Sequence, residues 1–213
     1  MLPPPRRGLT VIDHPLIRHK LALLRDVGTS SRDFKQLVGE IAALMTYEVT
    51  RDLATEPVEV ITPLETMMGE RIAGKIALVP ILRAGLGMVD GIAQLIPNAR
   101  VGHIGLYRDH ATLLPVSYYF KVPTPAADHR FLLLDPMLAT GGSAIAAATE
   151  LKLAGARDIA LLCLVAAPEG AAAFTAAHAD IPVYAAANDR ELNAFGYILP
   201  GLGDAGDRLF GTK

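Results

Sequence analysis

The chain of 213 residues has a single cysteine, Cys163, set in the apolar run IALLCLVAA. One thiol excludes an intrachain disulfide, and its apolar neighbours mark it as a small core residue. No apolar run reaches the ~18 residues that a membrane-spanning helix needs. The opening segment MLPPPRRGLTVID carries arginines with no apolar stretch behind them, so a secretory leader is not expected and a cytoplasmic location is. An excess of one charge sign is also lacking: 20 basic residues against 22 acidic ones leave a net charge of −2. That balance argues against a general nucleic-acid-binding surface or a membrane surface as partner, while allowing a local basic pocket. The six histidines, at 14, 19, 103, 110, 129 and 178, show no HxxxH or HxH spacing, and CxxC is absent. A structural metal site built by the protein is therefore not expected.

Hydrophobic residues make up 51% of the chain and charged residues 20%, a composition that buries a globular core. The length suits one domain spanning 1–213. Its first part, 14–53, reads as two amphipathic helices: HPLIRHKLALLRD, then Phe34, Leu37, Val38, Ile41, Leu44 and Met45 near a 3.6-residue period. From 75 to 190 the pattern changes. Apolar runs of strand length (76–82, 99–107, 131–135, 158–167, 182–187) alternate with the helix-like stretches LGMVDGIAQLI, AIAAATELKLAG and GAAAFTAAHA. Strands apolar throughout, alternating with helices, predict a mostly parallel sheet covered on both faces, an α/β Rossmann-like fold. Ligands of such sheets sit beyond the carboxyl ends of the strands, so the loops at 83–87, 108–110, 135–143 and 188–191 are expected to converge.

Two segments break the alternation. Residues 108–129 include the β-prone, proline-bounded LPVSYYFKVP and read as a hairpin or projecting β-arm, expected to close over the site. The C-terminal GYILPGLGDAGDRLFGTK, 196–213, holds too much glycine for a helix or strand and reads as an ordered loop carrying function or a flexible tail. The methionines, among them the pair Met67 and Met68, and Met137, read as packing residues.

The chemistry concentrates in glycine-rich turns. FLLLDPMLATGGSA, 131–144, is a buried strand that delivers Asp135 and then a Thr-Gly-Gly-Ser turn to a helix N-terminus. Free N–H groups and the helix dipole favour a phosphate there, and Gly141 and Gly142 admit it closely. An acid just before the turn can accept hydrogen bonds from sugar hydroxyls, so the segment suggests a sugar phosphate. It is not a GxxxxGK[ST] loop or a GxGxxG fingerprint. A second such turn, VPILRAGLGMVDG, places Arg83 at a strand end beside Gly85 and Gly87, a setting for a diphosphate; Arg108 likewise ends the run GLYR.

Taken together, HPLIRHKLALLRD, LMTYEVTRDL, VPILRAGLGMVDG, LLLDPMLATGGSA, LVAAPEG and GYILPGLGDAGDRLFGTK resemble the uracil phosphoribosyltransferases from residue 14 to the C-terminus. The resemblance implies a phosphoribosyltransferase fold with a small hood that includes the C-terminal loop. It implies the reaction of uracil with 5-phosphoribosyl 1-diphosphate (PRPP) to UMP and diphosphate, a pyrimidine-salvage step. Mg²⁺ would be bound through PRPP and water and not in a dedicated protein cage.

Roles carry over by motif. Asp135, Pro136, Met137, Leu138, Ala139, Thr140, Gly141, Gly142 and Ser143 would hold the ribose phosphate, with Asp135 on the ribose hydroxyls. Arg83 and Arg108 would hold the diphosphate. Ile198, Gly203, Asp204 and Ala205 would contact uracil, Asp204 also reaching the ribose or its metal-bound water. Arg83, Arg108 and Asp204 would act by charge and positioning, with no covalent nucleophile. The resemblance also implies a homo-oligomer, at least a dimer, and raises GTP as an effector. The chain departs from the family pattern at His110, Ala111 and Leu114 and at Ala194 and Phe195, which bears on the arm, on effector response and on assembly. The alternatives are a phosphoribosyltransferase for another base, or a non-catalytic PRPP- or UMP-sensing regulator that binds RNA.

Overall fold

A computed structural model describes residues 8–108 and 115–212, without the side chains of Arg108 and Pro115. After a short strand β1 (Leu9–Val11) come α1 (Pro15–Arg25) and α2 (Ser31–Val49). Pro15 at the first helical position and the Ser30 cap, whose hydroxyl accepts from Asp33 N–H, start these helices where the apolar period begins. A two-stranded hairpin follows, β2 (Thr55–Ile61) with β3 (Thr66–Ile72), in antiparallel register. The alternating core then runs β4 (Lys75–Leu82), α3 (Leu86–Leu95), β5 (Arg100–Val101), β6 (His103–Arg108), β7 (Pro115–Lys121), β8 (His129–Leu134), β9 (Met137–Leu138), α4 (Gly142–Leu153), β10 (Asp158–Ala166), α5 (Pro168–Ala177) and β11 (Val183–Asn188). Two short strands, β12 (Glu191–Leu192) and β13 (Ile198–Leu199), and α6 (Ala205–Phe210) complete it.

The main sheet has the order β1-β11-β10-β8-β4-β6-β7, with β5 beside β4 and β9 beside β10. Every pairing is parallel except β6 with β7. The unbroken apolar strands face two cores at once. In β8, Leu132 and Leu134 join the cluster under α1, α2, α3 and α6, while Phe131 and Leu133 join the one under α4 and α5. Strand side chains alternate between faces, so a strand buried on both sides has no position for a polar residue. Cys163 is fully buried in the second cluster, as its neighbours predict.

The β-prone segment pairs back on β6, with Pro115–Lys121 as the antiparallel edge of the sheet, while the connection, with His110, Ala111 and Leu114, lies outside the described residues. Two other expectations need correction. The hairpin that stands apart is β2–β3, whose faces are not sorted into apolar and polar, so its sequence carries no strand period. Met67 and Met68 lie on it, 48% and 62% exposed, so they do not pack within the chain. The C-terminal stretch contains a strand and a helix after all. Its glycines bracket α6: Gly201 and Gly203 precede the Asp204 cap, and Gly211 ends the helix in the left-handed conformation.

Candidate active site

Because β4, β6, β8, β10 and β11 run parallel, their carboxyl ends share one edge of the sheet. Arg83 leaves β4 there, between Arg108 at the end of β6 and Asp135 just past β8. Asp189 follows β11 on the same edge.

The 135–144 turn encloses a cavity of about 150 Å³ lined by Asp135 and residues 137–144. Its backbone is fixed from below. The Pro136 carbonyl accepts from Leu164 and Val165 N–H, 3.0 and 3.1 Å, and the Leu138 carbonyl accepts from Ala167 N–H at 2.9 Å. Gly141, at φ 84°, caps α4 without a side-chain hydrogen bond, so the first N–H groups of that helix open into the cavity with the positive end of its dipole. Thr140 and Ser143 stand exposed at its rim, with Ala139, before them, partly buried. Asp135 is half-buried, its Oδ1 accepting a long bond from Met137 N–H at 3.4 Å. Burial pushes its carboxyl up to about 7, against the weak opposing pull of that N–H.

Gly170 is a residue that motif reading missed. A Cβ there would fall on the Ala139 carbonyl and 2.7 Å from the Leu138 carbonyl, so α5 touches the phosphate-type turn backbone to backbone. The PEG of LVAAPEG is the signal: Pro168 starts α5, Glu169 accepts Leu192 N–H at 3.0 Å, and Gly170 permits the contact.

At the neighbouring turn, the Leu82–Arg83 peptide is cis. Gly85 has no room for a Cβ, which would meet the Leu134 carbonyl and lie 2.8 Å from Ile81 backbone atoms. The Arg83 guanidinium is exposed and faces α6, with Nη2 3.8 Å from Asp207 Oδ1.

The C-terminal segment covers these turns. Ile198 is buried in β13 and Ala205 is buried at the start of α6, while Gly203, at φ 79°, and Asp204 are exposed between them. The Asp204 carboxylate caps α6, accepting Asp207 N–H at 2.9 Å. The β12–β13 tip overhangs the phosphate-type turn: a Cβ on Gly196 would lie 3.7 Å from Thr140 Cγ2. The structure therefore sets α6 beside Arg83 and the β12–β13 tip beside Thr140, with residues 198–205 running between those two contacts. The Arg108 side chain lies outside the described residues. A larger groove of about 720 Å³ lies elsewhere, between α1, α2 and α3.

A glycine-rich phosphate turn, a strand-end arginine and a hood over the carboxyl edge define a phosphoribosyltransferase fold. A hypoxanthine-guanine phosphoribosyltransferase from Bacillus anthracis shares that fold, with a TM-score of 0.51 over 75% of this chain and 80% of that one, at 8% identity. The particular family is settled by the chain as a whole. The uracil phosphoribosyltransferase family profile matches residues 11–212, and the chain belongs to that family. It is 61% identical over 206 residues to the uracil phosphoribosyltransferase of Symbiobacterium thermophilum, covering 96% of this chain and 99% of that protein. A solved structure of a protein from Aquifex aeolicus is similar at a TM-score of 0.91 and 34% identity, covering 96% of this chain and 99% of that one.

Proposed function

We propose that the protein transfers the 5-phosphoribosyl group of PRPP to N1 of uracil, giving UMP and diphosphate. The observation that carries the reading is the 135–144 cavity on the carboxyl edge of the sheet, with Gly196 set against Thr140 at its rim and Arg83, at the end of the adjacent strand β4, facing Asp207 of α6. The N–H groups at the start of α4, with Thr140 and Ser143, hold the 5-phosphate, and the Asp135 carboxylate accepts the ribose hydroxyls. Arg83 and Arg108 bind the diphosphate and stabilise the negative charge that grows on it as the C1–O bond breaks. Ile198, Gly203 and Ala205 present backbone groups to the base, and Asp204 reaches towards the ribose. Orientation of N1 towards C1 supplies much of the remaining acceleration, and no protein nucleophile is required.

Among the described residues no three His, Cys, Asp or Glu side chains cluster as a metal site. Exposed Asp204 and half-buried Asp135 are hard oxygen donors suited to Mg²⁺ that arrives on PRPP, directly or through water. When bound, Mg²⁺ would neutralise charge on the departing diphosphate.

Selection of uracil by backbone suits its O4 acceptor beside an N3–H donor. Cytosine reverses both and would leave buried groups unpaired. In the same reading the chain is one domain, 1–213, acting in the cytoplasm as a homo-oligomer, with GTP as an effector. Exposed Val60, Ile61, Met67, Met68 and Ile72 on β2–β3 support assembly. Among the described residues no helix is long and apolar enough to cross a membrane. Rates with uracil in competition with cytosine, hypoxanthine and orotate test the base. A preference for one of the latter would assign another phosphoribosyltransferase, and RNA binding without turnover would assign a regulator.

A further inference from the structure

We infer that Arg25 and Asp189, neither of them among the residues assigned to substrate, are positioning residues that set the base-reading backbone of the C-terminal segment. The inference rests on the uracil reading above.

Arg25 ends α1, remote in sequence from the segment it holds. Its Nη1 donates to Asp189 Oδ2 at 2.7 Å and its Nη2 to Asp189 Oδ1 at 2.6 Å, a two-point pair. Nη1 also donates to the Gly201 carbonyl at 2.6 Å, and Asp189 Oδ2 accepts the Gly201 N–H at 2.9 Å. Both backbone polar groups of Gly201 are thus held by one ion pair, whose Asp189 side chain is only 5% exposed. Gly201 itself sits at φ 65°, where a Cβ would strike the Ile198 carbonyl. An ion pair with a buried carboxylate, tied also to both backbone polar groups of Gly201, has little freedom to shift.

A second clamp closes the next residue. Arg208 Nη1 donates to the Leu202 and Leu24 carbonyls, both at 2.8 Å, and Nη2 donates to the Asp26 carbonyl at 2.5 Å. Its guanidinium lies 4.3 Å from the centroid of the Phe34 ring. The Leu199 carbonyl accepts Arg190 N–H at 3.0 Å, and the Asp204 carbonyl accepts Arg208 N–H at 3.0 Å. Four carbonyls in 199–204, at 199, 201, 202 and 204, are therefore engaged within the protein. This selection determines which N–H and C=O groups remain to face a bound base, and Asp189 stands next to β11 so that the sheet itself supplies the reference point. Discrimination between an acceptor–donor edge and its reverse depends on that order being fixed.

The test is the Asp189→Asn variant, which keeps shape but removes the charge, with Arg25→Lys as the milder change. Steady-state constants for uracil, cytosine and PRPP are measured alongside the wild type, with hydrogen exchange of the Gly201 amide. We expect the uracil KM to rise about tenfold or more and the uracil-over-cytosine preference to fall with it. The PRPP KM should stay within about twofold and Gly201 should exchange faster, with Arg25→Lys intermediate throughout. Equal changes in the uracil and PRPP constants, a loss of kcat alone, or no change would overturn the inference. If Asp189→Asn does not fold, Arg25→Lys decides by the same split. A wild type that makes no UMP would instead refute the uracil reading, and Gly201 exchange would still report on the clamp.

Discussion

The Arg83 guanidinium is set 3.8 Å from the Asp207 carboxylate and over the Phe210 ring, 5.6 Å from its centroid. The cation proposed for the diphosphate is thus partly balanced by a carboxylate of α6. A diphosphate must compete with Asp207 for it. The Asp207→Asn variant is expected to lower the KM for PRPP about two- to fivefold, the range of an exposed ion pair. Arg83→Ala should raise it and leave uracil binding less affected. Initial rates at varied PRPP and fixed uracil separate the two.

Asp204 has two duties that substitution can part. Its carboxylate caps α6, and it is exposed, free to serve the ribose in the proposed reading. Asp204→Ala should lose about 1 kcal/mol of stability with the cap and most of the turnover. Asp204→Asn keeps a capping oxygen, so it should keep the stability and still lose turnover. Thermal unfolding and kcat, measured on both variants, check this; equal turnover in Asp204→Asn and wild type would remove the charge from the mechanism.

Gly170→Ala drives a methyl into the Ala139 carbonyl. Because the obstacle is backbone and not a flexible side chain, the 135–143 turn must move. A stability loss of about 1–3 kcal/mol is expected, as for overpacking elsewhere. Stabilisation by PRPP, read as the rise in unfolding temperature on adding it, should shrink more than that produced by UMP precursors lacking the phosphate, such as uracil alone.

Asp135 gives a pH signature. Its folded-state carboxyl titrates at about 7, above the ordinary 3.8, because burial disfavours the charge. A raised pKa means the folded protein binds the proton more tightly. The associated stability is therefore full below about pH 4 and is lost as pH rises through about 7. Asp135→Asn should flatten the fall in stability across that window, measured by urea unfolding at fixed ionic strength. Ribose hydroxyls donate to the charged form, so PRPP binding by the wild type should strengthen as pH rises through the same range.

Much of this was legible in the sequence because parallel strands buried on both faces leave continuous apolar runs. FLLLD, IALLCLVAA and the Thr-Gly-Gly turn announce their own structure. The 55–72 hairpin was not legible, since Val60, Ile61, Met67 and Met68 remain exposed in the chain alone and follow no burial period. The helix at 205–210 was hidden by glycine content, although Asp204 and Gly211 are its caps. The Arg25 to Asp189 pair could not be read at all. It joins the end of α1 to the end of β11, and only the folded topology brings those ends together.

The central claim is tested most directly by incubating the purified protein with uracil, PRPP and Mg²⁺ and following UMP and diphosphate together. The account predicts their appearance in equal amounts, dependent on both substrates. PRPP consumed without UMP, or no reaction with a correctly folded protein, would contradict it.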